Sequence, residues 1–118
     1  MKVTVILSVH NGERFVRDAV LSILAQTYRD FELLIVDDAS TDATHKILED
    51  LAAHDPRIRV LANTTNLGLT KSLNIALAET HSELIARMDA DDIAFPTRLE
   101  KQIAFLEAHP DIDVVGTA

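Results

Sequence analysis

Three carboxylates stand within four residues of the sequence, at Asp89, Asp91 and Asp92. They follow the apolar residues 84–86, which have the composition of a buried strand. Charges of one sign this close repel one another, so the segment needs a cation or strong hydrogen-bond donors. A divalent metal would meet that need, because Asp89 and Asp91 can reach one ion from a single turn and leave its other positions to phosphate oxygens. The spacing therefore indicates a metal-assisted phosphate site.

Two other structures would explain the same acidic segment. Acidic residues ahead of a helix suit its positive N-terminal end without doing any chemistry. A calcium-binding EF-hand loop would use Asp89, Asp91 and Glu100 as its first, third and twelfth residues. However, Ile93 stands where an oxygen ligand is needed and Ala94 where the turn requires glycine. The metal-phosphate interpretation is favoured over capping, and both are favoured over the calcium loop.

Composition limits the possible functions. The chain has 118 residues, 47% of them hydrophobic and 25% charged, which is typical of a single globular domain. Its net charge of -8 argues against a general nucleic-acid binder, so an anionic ligand would need a metal or backbone N–H groups at helix starts. The absence of cysteine fits a cytoplasmic protein. No apolar run approaches the roughly 20 residues of a membrane-spanning helix.

Apolar runs alternate with helical patterns along the chain. The predicted strands cover residues 3–9, 31–36, 58–61 and 84–88, and another begins at 113–116. The predicted helices have inward-facing residues at Val16, Ala19, Val20, Ile23 and Leu24; Thr44, Ile47, Leu48, Leu51 and Ala52; Leu69, Leu73, Ala76 and Leu77; and Leu99, Ile103 and Leu106. Ser40 or Thr41 should cap the second helix, and Thr97 with Glu100 should form a capping box at the fourth. The alternation predicts a Rossmann-like α/β fold, an open parallel sheet with helices on both faces.

Polar side chains follow each predicted strand at the end where such sheets bind ligands. They are Ser8, His10 and Asn11 after the first strand, Asp37 and Asp38 after the second, Asn66 after the third, and Asp89 and Asp91 after the fourth. Only three glycines are present, and neither a G-x-G-x-x-G motif nor a P-loop occurs. Asp38 could accept a hydrogen bond from a base or ribose while the acidic pair holds a metal and diphosphate. Asp37 and Asp38 fit an ordinary loop start equally well.

Six segments of the chain share their order and spacing with a known family: residues 5–13, 26–28, 31–33, 36–42, 66–69 and 89–92. Together they resemble the nucleotide-binding half of family 2 glycosyltransferases, which have the GT-A fold. The resemblance implies that residues 1–118 are the nucleotide-sugar-binding part of a longer enzyme. It implies inverting transfer from a nucleoside diphosphate sugar, with UDP-sugars first among the donors, to a hydroxyl of a saccharide or lipid-linked acceptor. Cell-envelope polysaccharide synthesis is the process it suggests.

The resemblance also implies roles for individual residues. Asp38 would bind a uracil-like base. Asp89 and Asp91 would form the DXD motif that contacts ribose and the diphosphate with Mg²⁺ or Mn²⁺, and Asp92 would share the metal. The other residues of the nucleotide pocket would be Ser8, His10, Asn11 and Glu13, with Asn66 and Lys71 nearby. Many relatives have proline, tyrosine and glycine in place of Ser8, His10 and Ala39, although His10 can still stack on a base.

The catalytic base is not expected in this chain. Family members continue into an acceptor-binding half, which supplies the carboxylate that takes the proton from the acceptor hydroxyl. The chain is therefore expected to be a fragment that binds nucleotide without turnover, with any membrane attachment supplied by missing parts. An unfinished sheet would also leave an apolar edge, which predicts self-association.

Other classes share parts of this pattern. A phospho-receiver domain needs an acidic pair after the first strand, where His10 and Asn11 stand, and a lysine after the last strand. A nucleotidyltransferase needs a glycine-rich basic loop after the first strand, which is absent. A non-catalytic nucleotide-binding module stays open, because binding residues alone do not distinguish it from an enzyme fragment. The remaining histidines are expected to be solvated surface residues: His45, His54, His81 and His109.

Overall fold

The computed structural model describes residues 3–112. Four strands alternate with four helices in this part of the chain. In chain order they are β1 (Val3–Val9), α1 (Val16–Leu24), β2 (Phe31–Asp37), α2 (Thr44–His54), β3 (Ile58–Ala62), α3 (Leu69–Ala78), β4 (Leu84–Arg87) and α4 (Arg98–Ala108). The predicted alternation is confirmed over these residues. The strand expected at 113–116 lies outside them.

All four strands are parallel and lie in the order β3-β2-β1-β4. In the register of β1 with its neighbours, Val9 pairs with Asp37 and Ile6 pairs with Arg87. The chain adds β2 and β3 on one side of β1 and then β4 on the other, so strand order reverses at β1. The residues that follow the four strands therefore share one rim of the sheet, which we call the carboxyl edge. This is where open parallel sheets bind their ligands.

The core has two layers because β1 and β2 are apolar on both faces. On one face, Leu7 and Leu33 pack with buried residues of three helices, including Val20 of α1, Leu48 of α2 and Ile103 of α4. On the other face, the buried residues include Ile6, Leu34, Val36 and Ala76, the last of which comes from α3. Successive strand residues point to opposite faces, so a continuous apolar run supplies both layers. The expected helices on both faces of the sheet are confirmed.

The predicted cap of α2 is wrong, and at α4 the predicted N-cap Thr97 is in place without its capping box. α2 begins at Thr44, whose N–H donates to Asp42 Oδ1 at 2.9 Å, while Ser40 Oγ accepts from the N–H of Asn11. At α4 no Thr97–Glu100 box forms, because Glu100 accepts from the hydroxyl of Thr27. The buried Gln26 instead accepts a hydrogen bond from the N–H of Leu99 at 3.0 Å and so caps α4 from a distant segment.

The predicted buried face of α3 is only partly correct. Ala76 is buried and Leu73 packs against the same cluster, but Leu69 and Leu77 are 50% and 45% exposed. The buried position in the first turns is the polar Ser72, whose hydroxyl accepts a hydrogen bond from Asn63 Nδ2 at 3.1 Å. α3 is therefore anchored at its N-terminal end by a polar contact with the loop after β3.

Gly12 closes the turn between β1 and α1 and lies so close to Val9 that a side chain there would require local movement. Its carbonyl accepts from the N–H of Val16 at 2.9 Å, and a Cβ at Gly12 would lie 2.6 Å from Cγ2 of the buried Val9. Because a buried β-branched side chain has little freedom to move away, we expect Gly12→Ala to lower the free energy of unfolding by about 1–3 kcal/mol in urea denaturation. Val9→Ala removes the clashing methyl, so the double variant should lose less than the sum of the single variants. Strictly additive losses would contradict the clash.

Candidate functional site

Asp38 connects the carboxyl end of β2 to the loop after β3 through hydrogen bonds to its side chain. Its Oδ1 accepts hydrogen bonds from Asn63 Nδ2 at 3.0 Å and the N–H of Leu67 at 2.8 Å, and its Oδ2 accepts from the N–H of Gly68 at 2.9 Å. Burial raises the pKa of Asp38, but the hydrogen bonds from Asn63, Leu67 and Gly68 outweigh it and bring the pKa below its ordinary value of 3.8. The site therefore holds a buried, ionised carboxylate at neutral pH.

His10 connects the loops that follow β1, β2 and β3. Its Nδ1 lies 2.6 Å from the backbone carbonyl of Asp38. A carbonyl only accepts, so Nδ1 carries a proton. Nε2 lies 3.3 Å from Asn66 Nδ2 and 3.4 Å from Asn11 Nδ2, both of which can donate to it. The structure thus brings together His10, Asn11, Asn66 and Asp38, which the sequence analysis placed at one edge.

Hydrogen bonds of Asn11 and Glu13 also bind the loop after β1 to the loop after β2. The N–H of Asn11 donates to Ser40 Oγ at 2.9 Å, and Asn11 Oδ1 accepts from the N–H of Thr41 at 2.8 Å. Glu13 Oε2 accepts from the N–H of Ala43 at 3.0 Å, and the N–H of Glu13 donates to Asp42 at 3.3 Å. Asn11 has φ 50°, a left-handed conformation that asparagine tolerates better than most residues. Together these contacts fix where Asn11 and Glu13 lie on the edge.

The three acidic residues after β4 lie together at the surface. We call Asp89, Asp91 and Asp92 the acidic trio; one carboxylate oxygen from each lies within 4.8 Å of the others. The N–H of Asp92 donates to the carbonyl of Asp89 at 3.2 Å and closes the turn. Arg87 Nη2 lies 3.4 Å from Asp89 Oδ1, so one nearby cation offsets part of three negative charges. A set of hard oxygen donors with excess negative charge fits Mg²⁺ or Mn²⁺.

Ser8 and Lys71 lie at the borders of this region. Ser8 is half-buried within β1, and Lys71 is exposed in the first turn of α3, just after the loop that binds Asp38.

Asp38 and the acidic trio face the same edge from either side of β1. Asp38 follows β2 and the trio follows β4, the two neighbours of β1 in the sheet. Since adjacent strands lie about 4.8 Å apart, β2 and β4, which lead into the two sites, are roughly 10 Å apart across the sheet. The edge could therefore bind one ligand that has a hydrogen-bonding ring at one end and an anionic, metal-binding group at the other.

Two features of the edge were missed in the sequence. An open groove of about 920 Å³ beside the trio is lined by residues that include Arg87, Arg98, Lys101 and Phe95, the last of which is 81% exposed. Arg98 and Lys101 are three residues apart at the start of α4, a spacing that could have indicated one basic helix face. The second feature is His45, which was expected to be solvated but lies 3.1 Å from the buried carboxylate of Asp37.

The four-stranded parallel sheet with helices on both faces is an α/β fold of the GT-A type. A family model described as Glycosyl transferase family 2 matches residues 4–118, and the chain belongs to that family.

Known proteins resemble the chain in sequence and in structure. The putative glycosyltransferase EpsE of Bacillus subtilis is 49% identical over 117 residues, which cover 98% of this chain and 42% of EpsE. TarS of S. aureus, solved in complex with UDP-GlcNAc, superposes with a TM-score of 0.86 at 31% identity, covering 93% of this chain and 32% of that one. The mannosyltransferase PcManGT of Pyrobaculum calidifontis, solved with GDP-Man and Mn²⁺, gives a TM-score of 0.83 at 27% identity, covering 89% and 32%.

The chain spans less than half the length of these relatives. Among residues 3–112, no helix has the length and apolar character needed to cross a membrane. The expected cytoplasmic location stays a prediction.

Proposed function

We propose that this chain binds the nucleoside diphosphate part of a nucleotide sugar at the carboxyl edge of its sheet, as part of a glycosyltransferase. Asp38 would face the base, while Asp89 and Asp91, helped by Asp92, would hold Mg²⁺ or Mn²⁺ against the diphosphate. The remaining pocket residues are those of the sequence analysis: Ser8, His10, Asn11, Glu13, Asn66 and Lys71. The observation that carries the proposal is the position of the acidic trio and the Asp38 loop on one edge, either side of β1.

The solved relatives support the ligand class. The TarS structure contains UDP-GlcNAc, and the PcManGT structure contains GDP-Man with Mn²⁺. We therefore propose a nucleoside diphosphate sugar as the donor and place UDP-sugars first. We further propose that the acceptor is a saccharide or lipid-linked hydroxyl, used in building a cell-envelope polysaccharide.

The chain's own residues would bind and orient the donor. The bound metal would offset the charge that develops on the leaving diphosphate, a contribution on the order of several kcal/mol. Asp38 would orient the base, and the loop contacts of His10 and Asn11 would keep the pocket in shape. Attack by the acceptor hydroxyl from the opposite face of the sugar would invert the anomeric centre. We propose that the general base for this step comes from the part of the enzyme outside residues 1–118.

Calorimetric titration tests this proposal. UDP, GDP and TDP would each be titrated into the chain with Mn²⁺, with Mg²⁺ and with EDTA. We expect metal-dependent binding of at least one of them. Binding of the same strength in EDTA would contradict the metal assignment. No binding of any nucleotide would contradict the proposal as a whole.

The free edge of β4 leads to a separate prediction. β4 pairs with β1 on one side and is the last strand of the described sheet, and Ile85 on it is 41% exposed. Because an unpaired strand with exposed apolar side chains favours association, we expect this chain to self-associate as its concentration rises. Multi-angle light scattering over a concentration series measures this directly. A monomer at the highest concentration would contradict it, and Ile85→Lys should reduce any association seen.

A further inference from the structure

Asp37 fastens the turn that leads from β2 into the nucleotide edge. Its side chain is 4% exposed, and its Oδ1 accepts a hydrogen bond from the N–H of Ser40 at 3.1 Å. Its backbone carbonyl accepts from the N–H of Ala39 at 3.0 Å and the N–H of Asn63 at 2.9 Å. One residue therefore connects the turn at 37–40 to the loop after β3.

His45 of α2 holds the other oxygen of this carboxylate. Its Nδ1 lies 3.1 Å from Asp37 Oδ2, and its Nε2 lies 2.7 Å from Glu49 Oε1 one turn later in the same helix. A carboxylate oxygen accepts, so the two contacts are hydrogen bonds when His45 donates from Nδ1 to Asp37 and from Nε2 to Glu49. Glu49 contacts Nε2 while Asp37 contacts Nδ1, so the orientation of the imidazole is fixed at both ring nitrogens.

The turn that Asp37 fastens is strained and lies against proposed binding residues. Ala39 has φ 55°, a left-handed conformation that costs a residue with a side chain about 1–2 kcal/mol. Such a conformation persists only while its surroundings hold it. Ser40, the next residue, accepts the N–H of Asn11 at 2.9 Å, and Asp38 precedes Ala39 directly. Without the contact to His45, the carboxylate of Asp37 would be free to rotate. The contacts of Asn11 and of Asp38 would then both weaken.

We propose that His45 is a positioning residue for nucleotide binding, acting through Asp37 on the turn that presents Asp38 and Asn11. This inference rests on the proposed function of the edge. His45 itself follows the turn on α2 and makes its contacts with Asp37 and Glu49, so its effect on the ligand is indirect.

Two substitutions of His45 separate the two contacts. In His45→Asn the amide nitrogen takes the place of Nδ1 and can still donate to Asp37. In His45→Gln the amide lies one bond further out, in the place of Nε2, where it faces Glu49. Glutamine is the better helix former of the two, so an effect through α2 stability alone would favour His45→Gln. Positioning through Asp37 predicts the opposite order.

The first measurement is amide hydrogen exchange of the chain without nucleotide. We expect His45→Gln to speed exchange at Ser40 and Asn11 by about 3- to 10-fold, the loss expected for one weakened hydrogen bond to a charged group, and His45→Asn to stay within about 2-fold of the unchanged chain. His54→Gln is the matched control and should leave exchange at both amides unchanged. His54 lies on the same helix and, among the described contacts, touches only the backbone carbonyl of Asp50. Unchanged exchange in His45→Gln, or equal acceleration in His45→Asn, would overturn the positioning role.

The second measurement is calorimetric titration of the same variants with UDP and Mn²⁺. We expect His45→Gln to weaken binding by about 3- to 10-fold and His45→Asn to bind within about 2-fold of the unchanged chain. Equal binding by both variants and the unchanged chain would overturn the inference while leaving the proposed function in place. Absence of binding by the unchanged chain would overturn the proposed function, and with it the link from His45 to the ligand, whatever the exchange rates.

Discussion

Asp91→Asn is expected to weaken metal-dependent binding of a nucleoside diphosphate by on the order of 100-fold, or about 2.7 kcal/mol. The substitution keeps the shape of the side chain but removes a charge from the acidic trio, whose carboxylate oxygens lie within 4.8 Å of one another. A hard divalent cation depends on such charged oxygen ligands, so the loss should fall on the metal-bound state. Calorimetry with Mn²⁺ and UDP measures it, and the far-UV circular dichroism should not change because Asp91 is exposed.

Asp50→Asn is the matched control for this prediction. It removes the same charge from an exposed position on α2, among residues that the sequence analysis did not assign to the site. If the loss came only from long-range electrostatics, nucleotide binding would weaken equally in both variants, and added salt would reduce that loss. Equal binding by Asp91→Asn and Asp50→Asn would contradict metal binding by the acidic trio.

Asp38→Ala is expected to lower the free energy of unfolding by about 3–5 kcal/mol, the largest stability loss that we expect from the candidate site. It removes the acceptor of three hydrogen bonds, from the amide of Asn63 and the N–H groups of Leu67 and Gly68. The N–H of Leu67 is then left unpaired, while Gly68 keeps its contact with Asn66 Oδ1 at 3.2 Å and Asn63 keeps its contact with Ser72 Oγ at 3.1 Å. Asp38→Asn keeps one oxygen and should cost less, about 1–3 kcal/mol, because its amide nitrogen then faces a donor. Urea denaturation with Asp30→Asn as an exposed control measures the series. A loss below about 1 kcal/mol in Asp38→Ala would contradict the role given to this carboxylate.

The same residue predicts a dependence of stability on pH. The pKa of Asp38 in the fold lies below the ordinary value of 3.8, so its ionised form stabilises the fold at neutral pH. That contribution is fully present above the unfolded pKa and is lost as the pH falls through the lower pKa of the folded state. The difference in unfolding free energy between the unchanged chain and Asp38→Asn should therefore shrink as the pH falls below about 4. A difference that stays constant between pH 6 and pH 3 would contradict the ionised state of Asp38.

Features encoded within one segment could be predicted from the sequence. The strands and helices follow from apolar periodicity, which is local, and the bounds of β1 and the buried face of α1 match the prediction closely. The acidic trio could be located because three carboxylates in one turn must share a small volume whatever the rest of the chain does. The common edge followed from the rule that parallel strands end on the same side of a sheet.

Features that depend on two distant segments could not be predicted. Gln26 caps α4 by accepting a hydrogen bond from the N–H of Leu99, and Glu100 accepts from the hydroxyl of Thr27 instead of forming the expected capping box. The residues of each pair are 73 positions apart in the sequence. His45 reaches Asp37 from a different element, so an isolated histidine gave no sign of its partner. Asp38 was interpreted as a ligand contact or an ordinary loop start, and neither interpretation indicated that its carboxylate binds the loop that carries Leu67 and Gly68. In each case the residue type indicated a polar side chain, but the sequence did not show which residue is its partner.

The most direct test of the shared edge is a crystal structure of this chain with UDP and Mn²⁺, with an anomalous difference map recorded to locate the manganese. We predict one strong peak within coordination distance of Asp91 and Asp89, diphosphate oxygens on the same ion, and the uracil ring turned towards Asp38 across the end of β1. A manganese peak away from the acidic trio, or a uracil ring on the far side of the sheet from Asp38, would contradict it.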